Sequence, residues 1–167
     1  QSDNNYTTVA LSRYVTAVAS GKKYNYQLMN KIVDADGKTV KKYKADYEDI
    51  SDTLTSSQWD ALHSGMRQVV STMDRFQGFD IPVAGKTGTA QQTGHANHGL
   101  FIGYAPYDDP EVVCYVVMDN PSDDSSTVTG SLFSAIMSEV LPYLNVAQDN
   151  PESAQQPDNS TQTTEPA

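Results

Sequence analysis

One short segment, Gly85-Lys86-Thr87-Gly88-Thr89-Ala90, combines a lysine, two threonines and two glycines. The apolar residues 81–84 before it favour a strand. On such a strand, the ammonium of Lys86 can bind a carboxylate, and a threonine hydroxyl can add a directed hydrogen bond. Gly88 removes bulk where an extended peptide could approach the backbone. These residues alone leave two interpretations equally open: a peptide-binding edge, which needs a nucleophile from elsewhere, or an ordinary strand with a surface lysine.

The Gly-Lys-Thr triplet also suggests a nucleotide-binding phosphate loop, but its surroundings argue against one. That loop requires a glycine five positions before Gly85, where this chain has the carboxylate of Asp80. It also requires a helix directly afterwards, and residues 88–94 are a poor helix start.

No metal or cofactor is predicted. His95 and His98 have no Cys, Asp or Glu at a matching ligand spacing, which favours a polar loop entering a strand. Residues 34–37 do not match a calcium loop and predict a turn. His63 is interpreted as a surface or boundary residue of a helix.

The chain has 167 residues and a net charge of −10, which argues against a nucleic-acid partner and is ascribed to solubility. Residues 1–146 are long enough for one domain, and the polar residues 147–167 predict a disordered tail. The single cysteine, Cys114, lies in an apolar run and is predicted to be a small buried hydrophobe. No apolar stretch has the length of a membrane span, and the start at Gln1 without a signal peptide favours a fragment.

Periodicity predicts two helices around a hairpin in the first half of the chain. Leu11, Tyr14, Val15 and Val18 form one helical stripe, with a cap at Thr7 or Thr8 and a stop at Gly21. A hairpin follows over 26–44, turning at Asp36-Gly37, with a lysine-rich second arm that is a solvated edge. A capping box at 55–58 begins the second helix, which runs to about Val70 or Met73.

Three antiparallel strands and a helix are predicted in the second half. The strands are the one carrying Lys86, then 98–106 and 111–118, and their short connections make them sheet neighbours. The last strand is apolar on both faces, which implies cover on both sides of the sheet. The apolar positions within 132–141 predict a third helix, stopped by Pro142.

Residues 83–91 strongly resemble the Lys-Thr-Gly box of the penicillin-binding transpeptidases. Residues 97–106 are similar to the strand that follows this box in class B members, and residues 1–20 are similar to the segment upstream. The likeness spans Gln1 to about Leu144. It implies an α/β (α+β) fold of the serine β-lactamase and penicillin-binding type, an antiparallel sheet covered by helices. This chain would be about the C-terminal half of that domain.

The resemblance also implies roles for individual residues and no cofactor. Lys86, Thr87, Gly88 and Thr89 would form the substrate-binding strand for the terminal carboxylate of a D-alanyl-D-alanine stem peptide or a β-lactam. The backbone amide of Thr89 would be one donor of the oxyanion hole. The family's serine nucleophile forms an acyl-enzyme that an amine of a second stem peptide resolves.

Two departures from the family pattern concern the nucleophile and the second box. Ser20-Gly21-Lys22-Lys23 matches Ser-x-x-Lys, but it lies at the end of the first predicted helix rather than at a helix start. Ser2-Asp3-Asn4 matches Ser-x-Asn but lies too close to the Lys-Thr-Gly box. Both matches are interpreted as coincidence, so the isolated chain is predicted to be inactive.

The resemblance therefore implies part of a peptidoglycan D,D-transpeptidase on the outer face of the bacterial cytoplasmic membrane. The missing N-terminal half would supply the nucleophile and the membrane anchor, and this segment itself would not contact the membrane. Two alternatives stay open: a sensor module that binds penicillin or peptide without turnover, and a β-lactamase-like hydrolase.

Overall fold

A computed structural model describes residues 5–77, 81–91, 94, 96–119 and 125–143. The predicted disordered tail, 147–167, lies outside these residues. Three helices and seven strands are described. The helices are α1 (Thr8–Ser20), α2 (Ser56–Ser71) and α3 (Ser125–Tyr143), and short 3-10 helices cover Ser51–Thr53 and Asp74–Phe76. The strands are β1 (Lys22–Asn25), β2 (Lys31–Val33), β3 (Thr39–Lys42), β4 (Asp46–Asp49), β5 (Ala84–Ala90), β6 (His98–Ala105) and β7 (Val112–Met118).

The central sheet consists of β5, β6 and β7 in that order, with each neighbouring pair antiparallel. Lys86 is the register partner of Ile102, and Ile102 is in turn the partner of Tyr115. Helices pack on both faces of this sheet, as the apolar sequence of β7 predicted. The mixed α/β fold with an antiparallel sheet is thereby confirmed.

Helix α3 covers one face of the sheet with a line of side chains four residues apart. Phe133, Met137 and Leu141 are buried, and the Phe133 ring centroid lies 4.7 Å from that of Phe101. Glycines in the strands make room for these rings, because a Cβ at Gly103 would lie 3.0 Å from the Phe133 ring. The predicted stop at Pro142 is wrong: α3 continues to Tyr143. A proline in the last turn removes few helical hydrogen bonds, so the helix tolerates it there.

Helices α1 and α2 cover the other face, and their ends follow the predicted caps. The Thr7 hydroxyl accepts from the Ala10 amide at 3.1 Å, and Gly21 ends α1 with a φ of 66°. Thr55 and Gln58 form the reciprocal capping box at the start of α2. Tyr14 departs from the predicted stripe because 65% of its surface is exposed.

His63 on α2 lies at the boundary between the two helices, as predicted. Its Nε2 is 2.8 Å from the Val18 carbonyl oxygen, and its ring packs edge-on against Tyr104. The hydrogen bond and the ring contact tie α2 to α1 and to β6, which holds both helices on the sheet.

The predicted hairpin is present as β2 and β3, with a bulge between Ile32 and Val33. Gly37 adopts a φ of 79° in the turn, and the Asp34 carboxylate accepts from the Lys38 amide at 2.8 Å. The strands are shorter than the predicted arms, and both are exposed. A second pair, β1 with β4, was not predicted and lies between this hairpin and the helices in chain order.

Two further sequence expectations bear on the described residues. None of their helices combines the length and apolarity needed to cross a bilayer. Cys114 is half-buried beside the sheet core, and burial raises the pKa of its thiol. A raised pKa disfavours the reactive thiolate, in agreement with a packing role.

Candidate functional site

The predicted site segment forms β5, which pairs with β6 on one side only in the described sheet. The opposite side of β5 is an edge, where alternate backbone N–H and C=O groups point away from the sheet. Lys86 is exposed on this strand, and its Nζ donates to the Thr87 carbonyl at 2.8 Å. No carboxylate of the described residues lies within 4.0 Å of the ammonium, so its charge is available to an anion.

Strand alternation sends the functional side chains of β5 to both faces of the sheet. Lys86 and Gly88 share the face that α1 and α2 cover, whereas Thr87 and Thr89 lie on the opposite face. The structure therefore does not gather the ammonium and the two hydroxyls on one face. They meet only at the strand edge, where a ligand lying along β5 would have the ammonium on one side and the hydroxyls on the other.

A groove of about 350 Å³ runs beside Lys86 between β5, α1 and α2. Its walls are mostly apolar, and the ammonium is its one charged group among the described residues. The lining consists of Leu11, Tyr14, Val15, Val18, Leu62, Met66, Lys86, Thr87, Gly88, Leu100, Ile102 and Tyr115. Apolar walls around a single cation favour a ligand with an anionic end and an apolar body.

Gly88 is needed for packing within the sheet. A Cβ at this position would lie 3.2 Å from the Cβ and from a terminal carbon of Leu100. The sequence suggested that Gly88 leaves space for a ligand. The structure shows that it also leaves space for Leu100 on the neighbouring strand.

The local backbone excludes the phosphate-loop alternative. Lys86 lies inside a strand that continues to Ala90, and the next described element is strand β6. Without a helix N-terminus after the lysine, this segment lacks the amides that a phosphate loop presents.

Arg67 supports the site and was missed by sequence reasoning. Its guanidinium, on α2, donates to the Val83 carbonyl at 2.9 Å, directly before β5 begins. The bond links the start of the site strand to a helix of the covering layer. No motif marks this arginine, because its role depends on the packing of α2 against β5.

Only one of the two motif matches that were interpreted as coincidence lies among the described residues. Ser20 is the last residue of α1, and its hydroxyl donates to the Thr16 carbonyl at 2.7 Å. Lys23, the lysine of that Ser-x-x-Lys match, pairs with Glu48 at 2.9 Å. This is the C-terminal end of a helix rather than a helix start. Ser2-Asp3-Asn4 lies outside the described residues.

Of the two histidines considered as metal ligands, the structure describes only His98. His98 Nδ1 lies 2.7 Å from an Asp119 carboxylate oxygen. His95 lies outside the described residues, and among those described no group of three or more potential ligands comes together.

Comparison with known proteins identifies one family over most of the chain. Residues 1–138 match the family described as penicillin binding protein transpeptidase domain. The chain is 34% identical over 142 residues to stage V sporulation protein D of Bacillus subtilis, covering 78% of this chain and 22% of that protein. It is 28% identical over 142 residues to the peptidoglycan D,D-transpeptidase MrdA of Haemophilus influenzae, covering 72% and 21%. The chain thus spans about a fifth of the length of these relatives.

Solved structures agree in fold. Penicillin-binding protein 2B of Streptococcus pneumoniae superposes with a TM-score of 0.75 at 22% identity, covering 86% of this chain and 26% of that one. Penicillin-binding protein A of Mycobacterium tuberculosis, solved as an imipenem acyl-enzyme complex, gives a TM-score of 0.72 at 19% identity. That match covers 84% of this chain and 32% of the other.

Proposed function

Because the chain belongs to the penicillin-binding protein transpeptidase family, we propose that residues 1–146 are the C-terminal part of a peptidoglycan D,D-transpeptidase domain. One observation carries the proposal. The Lys86 ammonium is exposed on the edge strand beside an apolar groove, without a carboxylate partner among the described residues.

Lys86 then holds the terminal carboxylate of a stem peptide ending in D-alanyl-D-alanine, or the carboxylate of a β-lactam. Thr87 and Thr89 add hydroxyl contacts from the opposite side of the β5 edge. An extended peptide along this edge can also pair with the backbone groups of β5 that point away from β6. The strand thereby fixes the position and direction of the substrate.

The chemical step is acyl transfer through a serine supplied by the rest of the parent protein. The serine oxygen attacks the carbonyl of the penultimate D-alanine, and its proton passes to a base. The Thr89 amide donates to the oxyanion that forms, a contact worth about 3–4 kcal/mol of barrier in other enzymes. The C–N bond then breaks and the terminal D-alanine leaves with a proton. An amine of a second stem peptide then attacks the carbonyl of the acyl-enzyme, the ester C–O bond breaks, and the serine oxygen takes a proton as the amide cross-link forms.

The parent protein places this domain outside the cytoplasm, anchored in the membrane through an N-terminal segment. The N-terminal half of the domain packs beside β5 and brings the nucleophile to the groove. No metal or cofactor takes part, since the roles above need only side chains and backbone amides.

Lys86→Ala in the parent protein tests the carboxylate-binding role. A hydrogen bond to a charged group is worth about 1.5–3 kcal/mol, so acylation by a fluorescent penicillin should slow about 10- to 100-fold. Lys44→Ala removes an equal charge from an exposed site between β3 and β4 and serves as the matched control. Equal acylation rates for wild type and Lys86→Ala would remove Lys86 from the site.

The 167-residue chain alone should not react with the same fluorescent penicillin. Ser20 is the only serine of the described residues within a Ser-x-x-Lys match, and its hydroxyl is bound at a helix C-terminus. A covalent adduct on the isolated chain, located by peptide mapping, would contradict the assignment of the nucleophile to the parent.

A further inference from the structure

A second cavity, of about 380 Å³, lies beside α1 and is here called the α1–β7 pocket. It is lined by the C-terminal part of α1, by residues 24–27 at the end of β1, by Ala45 and by residues 110–113 at the start of β7. It uses a different side of α1 from the groove beside Lys86, and the two cavities share no lining residue. The function proposed above gives this pocket no role.

The charge of the α1–β7 pocket is negative. The carboxylate of Glu111 is the one charged side chain among the described residues that line it. Behind the lining, the Arg13 guanidinium donates to Asn25 Oδ1 at 2.6 Å, and Asn25 Nδ2 donates to an Asp46 carboxylate oxygen at 2.8 Å. Because a cation and an anion meet at the same amide, this side of the pocket adds no net charge, and Glu111 determines the sign.

The end of α1 adds partial negative charge to the same pocket. Ala19 and Ser20, the last two residues of the helix, line it. The carbonyl groups of a helix C-terminus carry about half a negative elementary charge, which a basic residue in the last turn often offsets. The last turn of α1 has no basic residue. Lys22 and Lys23, which follow the helix, interact with side chains of β4 instead. A cation in the pocket would therefore be stabilised by the helix end and by the carboxylate.

Aromatic and aliphatic side chains form much of the remaining wall. The lining includes Tyr24 and Tyr26 on one side and Pro110 and Val112 on the other. The Tyr26 hydroxyl lies 2.7 Å from that of Thr16, and this hydrogen bond holds the tyrosine against α1. The face of a tyrosine ring attracts an ammonium group, and aliphatic walls favour an aliphatic chain. The wall thus suits a ligand that has both parts.

We propose that the α1–β7 pocket binds an alkylammonium group, that is, a primary ammonium on a short aliphatic chain. The ammonium pairs with Glu111 near the end of α1, and the chain lies against the tyrosine rings and Val112. The same charges disfavour carboxylates and phosphates. A free diamine and a lysine-type side chain of a peptide both carry this group. The inference does not depend on the transpeptidase function.

The test follows the backbone amide resonances of the full chain by two-dimensional NMR during titration with two amines, 1,5-diaminopentane and Nα-acetyl-lysine methylamide. We expect saturable shifts at residues 16–20, 24–27 and 111–113. The matched compounds without an ammonium, 1,5-pentanediol and Nα-acetyl-norleucine methylamide, should bind at least about fivefold more weakly, the size expected for an exposed ion pair. The amine that binds more tightly identifies the source, a free diamine or a peptide side chain.

Glu111→Gln should weaken the binding of both amines about fivefold, and Glu111→Lys should abolish it. Asp109→Asn is the matched control. It removes an equal charge from an exposed position in the same connection between β6 and β7, but Asp109 does not line the pocket. This control should change the affinity less than about twofold. Both positions are exposed, and the NMR spectrum of each variant checks that it folds.

Localised, saturable binding of either amine that Glu111→Gln weakens and Asp109→Asn does not would support the proposal. Equal affinities for the lysine and norleucine compounds would show an apolar pocket without a preference for ammonium and would overturn it. Equal losses in Glu111→Gln and Asp109→Asn would show a response to net charge alone, which also overturns it. Shifts spread over the whole acidic surface would have the same meaning.

Discussion

The two faces of the β5–β6–β7 sheet differ in how completely they are filled. On the α3 face, Phe101, Phe133 and Met137 have no exposed surface, and glycines in the strands bring the rings against the backbone. On the face covered by α1 and α2, a groove of about 350 Å³ separates the helices from Lys86. A single sheet thus combines a tightly packed face, which supports stability, with an open face and edge suited to binding.

Phe133→Ala should give the largest loss of stability. The ring is fully buried and touches Phe101 and Phe76, so its removal leaves a cavity that the neighbouring rings cannot fill. We expect the free energy of unfolding in urea to fall by about 3–5 kcal/mol. Leu132→Ala, next to it on α3 and 41% exposed, should cost less than about 1.5 kcal/mol. Equal costs for both would mean that the α3 face is not tightly packed.

Gly103→Ala should come second, because the new methyl has no space. A Cβ there would lie 2.5 Å from the Ala84 carbonyl oxygen and 3.0 Å from the Phe133 ring, and the carbonyl belongs to the neighbouring strand. We expect a loss of about 1–3 kcal/mol in the same urea experiment.

Gly65→Ala is the matched control for Gly103→Ala. A Cβ at Gly65 on α2 meets nothing within 4 Å, and alanine is the better helix former, so this change should stabilise by up to about 1 kcal/mol. If Gly103→Ala and Gly65→Ala both unfolded at the urea concentration of the wild type, the backbone of Gly103 would not lie as close to Ala84 and Phe133 as the structure shows.

Tyr104 lies on the open face, where it should produce a smaller, pH-dependent effect. Its hydroxyl is buried and has no hydrogen-bond partner among the described residues. Burial raises its pKa from 10.0 to about 12, with smaller contributions from Tyr107 and Asp108. Above pH 10 the unfolded chain loses this proton first. The contribution of Tyr104 to the free energy of unfolding is therefore fully present below pH 10. Between pH 10 and pH 12 it falls by up to about 1.4 kcal/mol per pH unit.

Tyr104→Phe isolates that contribution from the other tyrosines. The variant should lose less stability than wild type between pH 10 and 12 in urea unfolding followed by circular dichroism. At pH 7 it should be as stable as wild type or slightly more stable, because an unpaired buried hydroxyl is removed. Parallel alkaline profiles for the two proteins would show that Tyr104 ionises as freely in the folded state as in the unfolded state.

The contrast between the two faces also explains what sequence could predict. The caps at Thr7, Gly21 and Thr55 and the three central strands follow from local patterns, and the structure has them. The predictions for Tyr14 and Pro142 were wrong for different reasons. Periodicity does not show which side of a helix stays uncovered, and it does not show that a helix can continue past a proline in its last turn. The separation of Lys86 from Thr87 follows from strand alternation, but the groove and Arg67 depend on how α2 packs against β5. That packing has no local signal.

Lys86→Ala should have the smallest effect on stability, although it is expected to have a large effect on acylation. The ammonium is exposed and bonds only to the neighbouring Thr87 carbonyl among the described residues, so its removal should change the unfolding free energy by less than about 0.5 kcal/mol. Arg67→Met is the informative partner, because it leaves the Val83 carbonyl without its donor and should cost about 1–3 kcal/mol. Substitution of a residue that supports β5 should change both the free energy of unfolding and the acylation rate. Substitution of a residue that only contacts a ligand should change the acylation rate alone. A large loss of stability in Lys86→Ala would show that the lysine side chain stabilises the folded chain. The edge of β5 would then not differ from the filled face in its contribution to stability.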